Sequence, residues 1–428
     1  REWNRGISRH CLDTVIRNQQ RFIFMSATNP LWAYAVLLTE RMVQPMDKPT
    51  VQDIFHRFYP AYLDQYSPSP VHAKVAHNIM NCKTGAYGAN VCVCEDCGFV
   101  QIHYNSCRNR CCPMCQAVPK EMWMDARRED VLDAPYFHLV FTVPDILNPV
   151  IYSNQRLLYD ALYHAASSTI SELTADPKHL GAKVGYICIL HTWGSEMNFH
   201  PHIHTILLGG GLASNNQWKD NGENFFLTIR VISKVFRGKY LEELKRLWEE
   251  DKLVFHGIAE KFRNHYTFKE LLDSCYGMDW IPHCKKTFNG AQTVIKYLGK
   301  YTHRIAVSNH RIVRMDDDTV TFLVKDYRNE GQWKELTISG VEFVRRFLMH
   351  VPPRRFVRIR HYGLLCSRTK NQKLTLCRNL LGCKKYLSKL RDMEMPEILE
   401  HLYGIKVCVC KACGGHLGKP QMRMPLRC

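Results

Sequence analysis

The stretch His200-Pro201-His202-Ile203-His204 leads into an apolar run, HIHTILLGGGL at 202–212, whose composition fits a buried strand. On a strand, side chains at i and i+2 share a face. His202 and His204 therefore stand side by side while Ile203 turns the other way. A second strand-like run, VGYICIL at 184–190, ends just before His191, and the polar segment GSEMNFHP at 194–201 separates the two runs. A hairpin would set His191 beside the pair. Three imidazoles at this spacing make a metal site with positions left open. A single histidine is more often a packed or surface residue, so it is the convergence of three that carries the reading. Glu196 and His200 are alternative third ligands.

A second constellation lies in AQTVIKYLGKYTHR at 291–304. Val294, Tyr297, Leu298 and Tyr301 fall at i, i+3, i+4 and i+7, the spacing of one helix face. By itself this is an aromatic core stripe. Lys300, His303 and Arg304 alongside it make a phosphate-binding setting. Gly299 costs roughly 1 kcal/mol against Ala inside a helix, which implies that something approaches it closely.

Together these two features describe nicking and joining of nucleic acid. A metal at His191, His202 and His204 polarises a phosphodiester, and Tyr297 or Tyr301 attacks it to form a covalent link. The bond energy stays in the phosphotyrosine, so rejoining needs no triphosphate. The chain agrees: every Gly-Lys pair is followed by Tyr or Pro, never by the Ser or Thr of a P-loop. Two tyrosines would allow two successive strand transfers.

The 19 cysteines form a third pattern. Cys94-x2-Cys97 and Cys112-x2-Cys115 are separated by fourteen residues, close to a two-knuckle zinc spacing. Cys82 and Cys107 are further candidate ligands. A chain of 428 residues needs no disulfide staples, so structural zinc is the expectation. Arg108 and Arg110, between the knuckles, suggest that this module touches DNA. Near the end, Cys408, Cys410 and Cys413, with His416 and Cys428, form a candidate for another metal site.

Lys and Arg number 58 against 40 Asp and Glu, a formal net charge of +18. Such an excess attracts polyanions. Arg345, Arg346, Arg354, Arg355, Arg358 and Arg360 crowd a short span with Phe347, Phe356 and Tyr362. Arginine for phosphate and aromatics for base stacking suit single-stranded or distorted DNA.

The chain resembles the rolling-circle transposases of bacterial insertion sequences, the two-tyrosine branch of the HUH (His-hydrophobic-His) endonucleases. The residues that carry the resemblance are SCRNRCCPMCQ at 106–116, HTWG at 191–194, HPHIH at 200–204, YLGKYTHRIAVSNHRI at 297–312 and RFVRIRHYGLL at 355–365. It covers roughly residues 47–385. The resemblance implies that His202 and His204 bind the catalytic metal, that Tyr297 and Tyr301 are nucleophiles forming 5'-phosphotyrosine, and that the DNA is single-stranded or hairpin element ends. It implies magnesium or manganese, whereas three imidazoles suit manganese, nickel or zinc better. It also implies an amino-terminal zinc-binding domain and a bacterial cytoplasmic, nucleoid-associated protein. Competing readings are a replication initiator or relaxase using the same chemistry, and a non-enzymatic zinc-containing DNA binder.

Length and 46% hydrophobic content allow two or three domains. The expected division is an unassigned extension over 1–46, a helical and zinc-binding domain over 47–125, a catalytic domain over 126–310 and a basic region over 311–428. The chain starts with Arg, and Met42 and Met46 are expected starts, because the likeness begins near them. Residues 22–40 are hydrophobic but interrupted by Ser26, Thr28, Asn29 and Pro30, short of a spanning helix. Helices are expected over about 50–80, 145–175, 231–252 and 341–351, and strands over 136–144 and near 279–284. Asp316-Asp317-Asp318 reads as a hairpin turn. The histidine hairpin and the resemblance favour an α+β fold with a central antiparallel sheet, over an α/β alternation.

Overall fold

The computed structural model describes residues 48–221, 227–280, 283–288, 294, 299, 306–326, 329–418 and 422–424. They group into two units, one formed by 90–103 with 408–423 and the other by 49–89 with 104–407.

In the larger unit, helices α1 (Val51–Gln65) and α2 (Pro70–Met80) come first. Thr50 and Asp53 form a capping box at the start of α1, and Ser69 caps α2 with Pro70 at its first position. Strands β1 (Ala89–Val93) and β2 (Val100–Tyr104), but for Ala89 and Tyr104, belong to the smaller unit; the larger one resumes with α3 (Ala117–Arg128), β3 (Tyr136–Thr142), α4 (Asn148–Ser153) and α5 (Gln155–Ala175). The expected helix over 145–175 breaks at Asn154. Its side-chain amide donates to the Val150 and Val254 carbonyls, tying the break down.

The central sheet adds β4 (Lys183–Trp193), β5 (Phe199–Leu212), β7 (His283–Phe288) and β11 (Ile359–Gly363) to β3, in the order β11-β4-β5-β3-β7, with β6 (Trp218–Asp220) beside the end of β5. Every pairing is antiparallel. Strand alternation sorts the side chains into two faces. One face presents Phe137, Leu139, Phe141, Cys188, Leu190, Ile203 and Leu207 to α5 and to α6 (Ile229–Glu249). Leu158, Leu162, Ala165 and Ala166 of α5 are fully buried there, the stripe their spacing predicts. The other face carries His138, Ile187, Ile189, Ile206 and Leu208 together with His191, His202 and His204. Met124, Leu364, Leu374 and Val294 pack on its apolar part.

A second layer joins α1 and α2 to α8 (Gly340–Met349) and to a three-stranded sheet of β8 (Ile312–Met315), β9 (Thr319–Asp326) and β10 (Gln332–Ser339), after α7 (His265–Gly277) in the chain. Phe55 of α1 and Phe347 of α8 meet edge to face with ring centroids 5.2 Å apart. The Asp316–Asp318 turn does close β8 onto β9. Helices α9 (Lys370–Leu381) and α10 (Met395–Tyr403) follow β11. The result is an α+β architecture. Its packing cuts across the boundaries expected at 125/126 and 310/311: α8 lies on α1, and β11 is an edge strand of the central sheet. Among the described residues no helix is long and apolar enough to cross a membrane.

Candidate active site

Register places the histidines. His191 of β4 lies opposite His202 of β5, and β3 sets Val140 opposite His204 on its other side. All three imidazoles are buried, with exposures of 4, 9 and 8%, and their ligand atoms lie within 4.8 Å of one another. The Nε2 atoms of His202 and His204 are 3.0 Å apart. Two nitrogens bound to one ion at about 2.0–2.1 Å are separated by about 3.0–3.4 Å, so the observed spacing is that of two neighbouring ligands.

Hydrogen bonds assign the protons. His202 Nδ1 is 2.7 Å from the His200 carbonyl, which can only accept, so Nδ1 carries the hydrogen and Nε2 presents a lone pair. His204 Nδ1 is 2.9 Å from His138 Nε2. If His204 donates along that bond, its own Nε2 also presents a lone pair, and two facing lone pairs call for a cation between them. The opposite tautomer, with His204 Nε2–H donating to His202, satisfies the pair without one. Burial pushes the His202 pKa down to about 4 and holds His204 well below its ordinary value, with like charges on neighbouring histidines adding to the effect. Both are neutral imidazoles at neutral pH, the form that ligates.

The hairpin turn is held from the second layer. Met197, at its tip, is fully buried among Phe343, Phe347 and Phe322. Arg311 and Arg346 donate to the Ser195 and Glu196 carbonyls, and His350 Nε2 donates to the Met197 carbonyl. These bonds hold the turn that joins the two histidine strands. Neither alternative third ligand joins the cluster. His200 turns to Asp145 at 3.2 Å, and Glu196 is exposed.

Tyr297, Lys300, Tyr301, His303 and Arg304 lie outside the described residues. Two positions of their segment are described. Val294 is buried with Ile189, Ile206 and Leu208 on the histidine face. Gly299 is also helical, and a Cβ there would fall 2.0 Å from Met124 Sδ, which accounts for the glycine.

The cysteines require a correction. Cys94, Cys97, Cys112 and Cys115 do not form one site. Cys112 and Cys115 group with Cys82 and Cys107, whereas Cys94 and Cys97 group with Cys410 and Cys413. The knuckle spacing fixed each pair but not its mate, since mates come from folding. In the first group Cys115 Sγ lies 3.4 Å from Cys82 and 3.5 Å from Cys107. Amide hydrogens of Cys107 and Asn109 point at the Cys82 and Cys107 sulfurs. Cys408 and His416 are not in the second group, and Cys428 lies outside the described residues.

The arginine patch also divides. Arg108, Arg354 and Arg355 are exposed. Arg110 instead donates to the Phe356 and Pro353 carbonyls. Arg360 pairs with Asp160 and lies 4.0 Å over the Tyr163 ring, and burial lowers the pKa of Arg358. Phe347 and Phe356 are interior, and Tyr362 stacks on Tyr186. These three aromatics are therefore packing groups, not the base-stacking platforms expected. Sequence reasoning missed His138. Its position in YFHLVFT was visible, but only the β3–β5 register reveals that it touches His204.

Comparison with known proteins agrees with this geometry. Residues 54–143 match a family described as a transposase zinc-binding domain, and residues 185–373 match one described as a putative transposase. A putative transposase, y4qJ, of Sinorhizobium fredii is 39% identical over 369 residues, covering 85% of this chain and 93% of that protein. The transposase for insertion sequence element IS801 of Pseudomonas savastanoi pv. phaseolicola is 30% identical over 309 residues, covering 71% of this chain and 72% of that one. A copper-bound conjugative relaxase, TrwC, in complex with oriT DNA aligns over 38% of this chain and 68% of its own, at 14% identity and a TM-score of 0.23, too weak a likeness to argue from. The two curated relatives and the two domain matches decide the matter: the chain belongs to the HUH rolling-circle transposases of bacterial insertion sequences that carry an amino-terminal zinc-binding domain.

Proposed function

We propose that the chain cleaves and rejoins single-stranded DNA at element ends through 5'-phosphotyrosine, with Tyr297 and Tyr301 as nucleophiles and His191, His202 and His204 as metal ligands. The observation that carries this reading is the convergence of three buried imidazoles on the sheet face where Val294, three residues before Tyr297 in the sequence, is packed. A divalent ion bound there, manganese or magnesium, would polarise the scissile phosphodiester and neutralise charge on its non-bridging oxygens. The phenol oxygen attacks phosphorus, its proton passes to solvent or a base, and the P–O3' bond breaks to leave a free 3'-hydroxyl. Attack of a 3'-hydroxyl on the phosphotyrosine reverses the step and releases the tyrosine. A second tyrosine allows the next transfer before the first strand is let go.

His138 is a positioning residue in this reading. By accepting from His204 Nδ1 it selects the tautomer whose Nε2 faces the ion. Exposed Arg108, Arg354 and Arg355, with Lys300 and Arg304, are proposed to hold the DNA backbone. Cys82, Cys107, Cys112 and Cys115 are proposed as the structural zinc ligands of the amino-terminal domain.

The test is incubation with single-stranded element ends and manganese, scored for protease-sensitive DNA–protein conjugates. Conjugates should form, and should vanish in Tyr297→Phe/Tyr301→Phe while DNA binding persists. Full nicking by that double variant would remove both tyrosines from the mechanism. Chelators also strip zinc, so His202→Ala and His204→Ala serve as the metal controls.

A further inference from the structure

We propose that Cys94, Cys97, Cys410 and Cys413 form a second tetrathiolate zinc site, which closes a ribbon from two segments far apart in the chain. The proposal is independent of the nicking chemistry. Cys94 Sγ lies 3.6 Å from Cys413 Sγ, and Cys97 Sγ lies 3.8 Å from Cys410 Sγ. Four sulfurs about 2.3 Å from one tetrahedral ion are separated by about 3.8 Å, whereas a disulfide would bring two of them to about 2.05 Å.

The two halves repeat one local design. Cys94-Glu95-Asp96-Cys97-Gly98 and Cys410-Lys411-Ala412-Cys413-Gly414 are both Cys-x2-Cys-Gly. Gly98 and Gly414 have positive φ angles of 71° and 77°, which glycine adopts without strain. Their amides donate to the carbonyls of Cys94 and Cys410, both at 3.0 Å. The Cys94 amide donates to the Phe99 carbonyl and the Cys410 amide to the Gly415 carbonyl, the same offset in each half. Amides of Ala412 and Gly415 point at the Cys410 and Cys413 sulfurs, which stabilises thiolate. The halves are joined by a bridge between Cys94 and Leu417, and by the Glu95 amide donating to the His416 carbonyl. Cys92, Cys94, Cys410 and Leu417 form a four-residue apolar cluster, small for a module of this length. A closed metal site supplies the missing stability. His416 is exposed near Glu95 and Cys408 lies outside the set, so the ligands are sulfur alone.

The experiment is thiol alkylation of the native, zinc-loaded full chain, mapped by mass spectrometry. Cys97, Cys413, Cys408 and Cys366 are all solvent-exposed. As free thiols all four would be open to a small alkylating agent, and chelation would not change their rates. The proposal expects Cys97 and Cys413 to be protected at least about tenfold relative to Cys408 and Cys366, and to lose that protection together on chelation. Reaction of Cys97 and Cys413 at the Cys408 rate overturns it, as does protection that survives chelator but yields to reductant. Substitution then reads stoichiometry: Cys410→Ser/Cys413→Ser should lose half the sulfur-to-cobalt charge-transfer intensity of the cobalt-substituted chain, and Cys408→Ser none. Unchanged intensity in the double variant counts against the site equally.

Discussion

The three histidines and the two cysteine quartets are all groupings that could hold an ion, yet they are built in opposite ways. The imidazoles stand on neighbouring strands of one sheet, and the His200 carbonyl, His138 and a clamped turn fix their direction. Sheet and core determine that site, so it should persist without metal. The cysteines come from turns and short strands, the second quartet beside an apolar cluster of only four residues, and sulfurs 3.4–3.8 Å apart repel one another as thiolates unless a cation is shared. One kind of site is shaped by the fold; the other helps to shape it.

Metal removal should expose the difference most sharply. Cys112→Ser should destabilise the α1–α2 region by several kcal/mol, given that structural zinc contributes on the order of 10 kcal/mol in small zinc modules. Thermal melting and amide exchange over residues 49–115 would register this. A melting temperature like that of the unsubstituted chain would place the cysteine quartet with the preorganised sites. His204→Ala should do the reverse: conjugate formation falls roughly 100- to 1000-fold, the scale of losing a main electrostatic contributor, while the melting temperature moves only a few degrees. His138→Phe should weaken manganese binding about 10- to 100-fold, measurable by calorimetry, and His138→Gln should recover part of it by restoring an acceptor. Equal loss in both variants would reduce His138 to packing.

The smallest effect concerns the clamp. Arg345 and Arg346 hold the Glu342 pKa down to about 2. Its folded pKa is depressed, so the stability it contributes is present above the ordinary carboxylate range. That stability is lost as pH falls from about 4.5 towards 2. Glu342→Gln should therefore lower stability by about 1 kcal/mol at neutral pH and flatten the acid limb of the unfolding curve.

What could be read from the sequence follows the same division. His191, His202 and His204 were legible because strand alternation is strictly periodic, and one hairpin sufficed to bring them together. Cys82 and Cys107 were visible as candidates, and Cys410 and Cys413 as a separate candidate site. The partition was not visible, because loop-borne pairs find mates through tertiary packing. The arginine-rich span misled for a related reason. Arg360 and Phe356 look exposed in a basic run, yet β11 inserts that run at the edge of the central sheet, where Arg360 lies over Tyr163. Met197 sat in a polar segment and proved to be the buried pin of the hairpin.

The pairing of Cys97 with Cys410, 313 residues later, has a consequence for biosynthesis. On the ribosome, the early knuckle emerges with half its ligands and stays incomplete until every strand of the central sheet has been translated. A nascent chain interrupted anywhere in that interval leaves a polypeptide with an open, reactive thiol pair. Completion of the ribbon thus reports that translation has passed residue 413, long after the histidine hairpin could have folded.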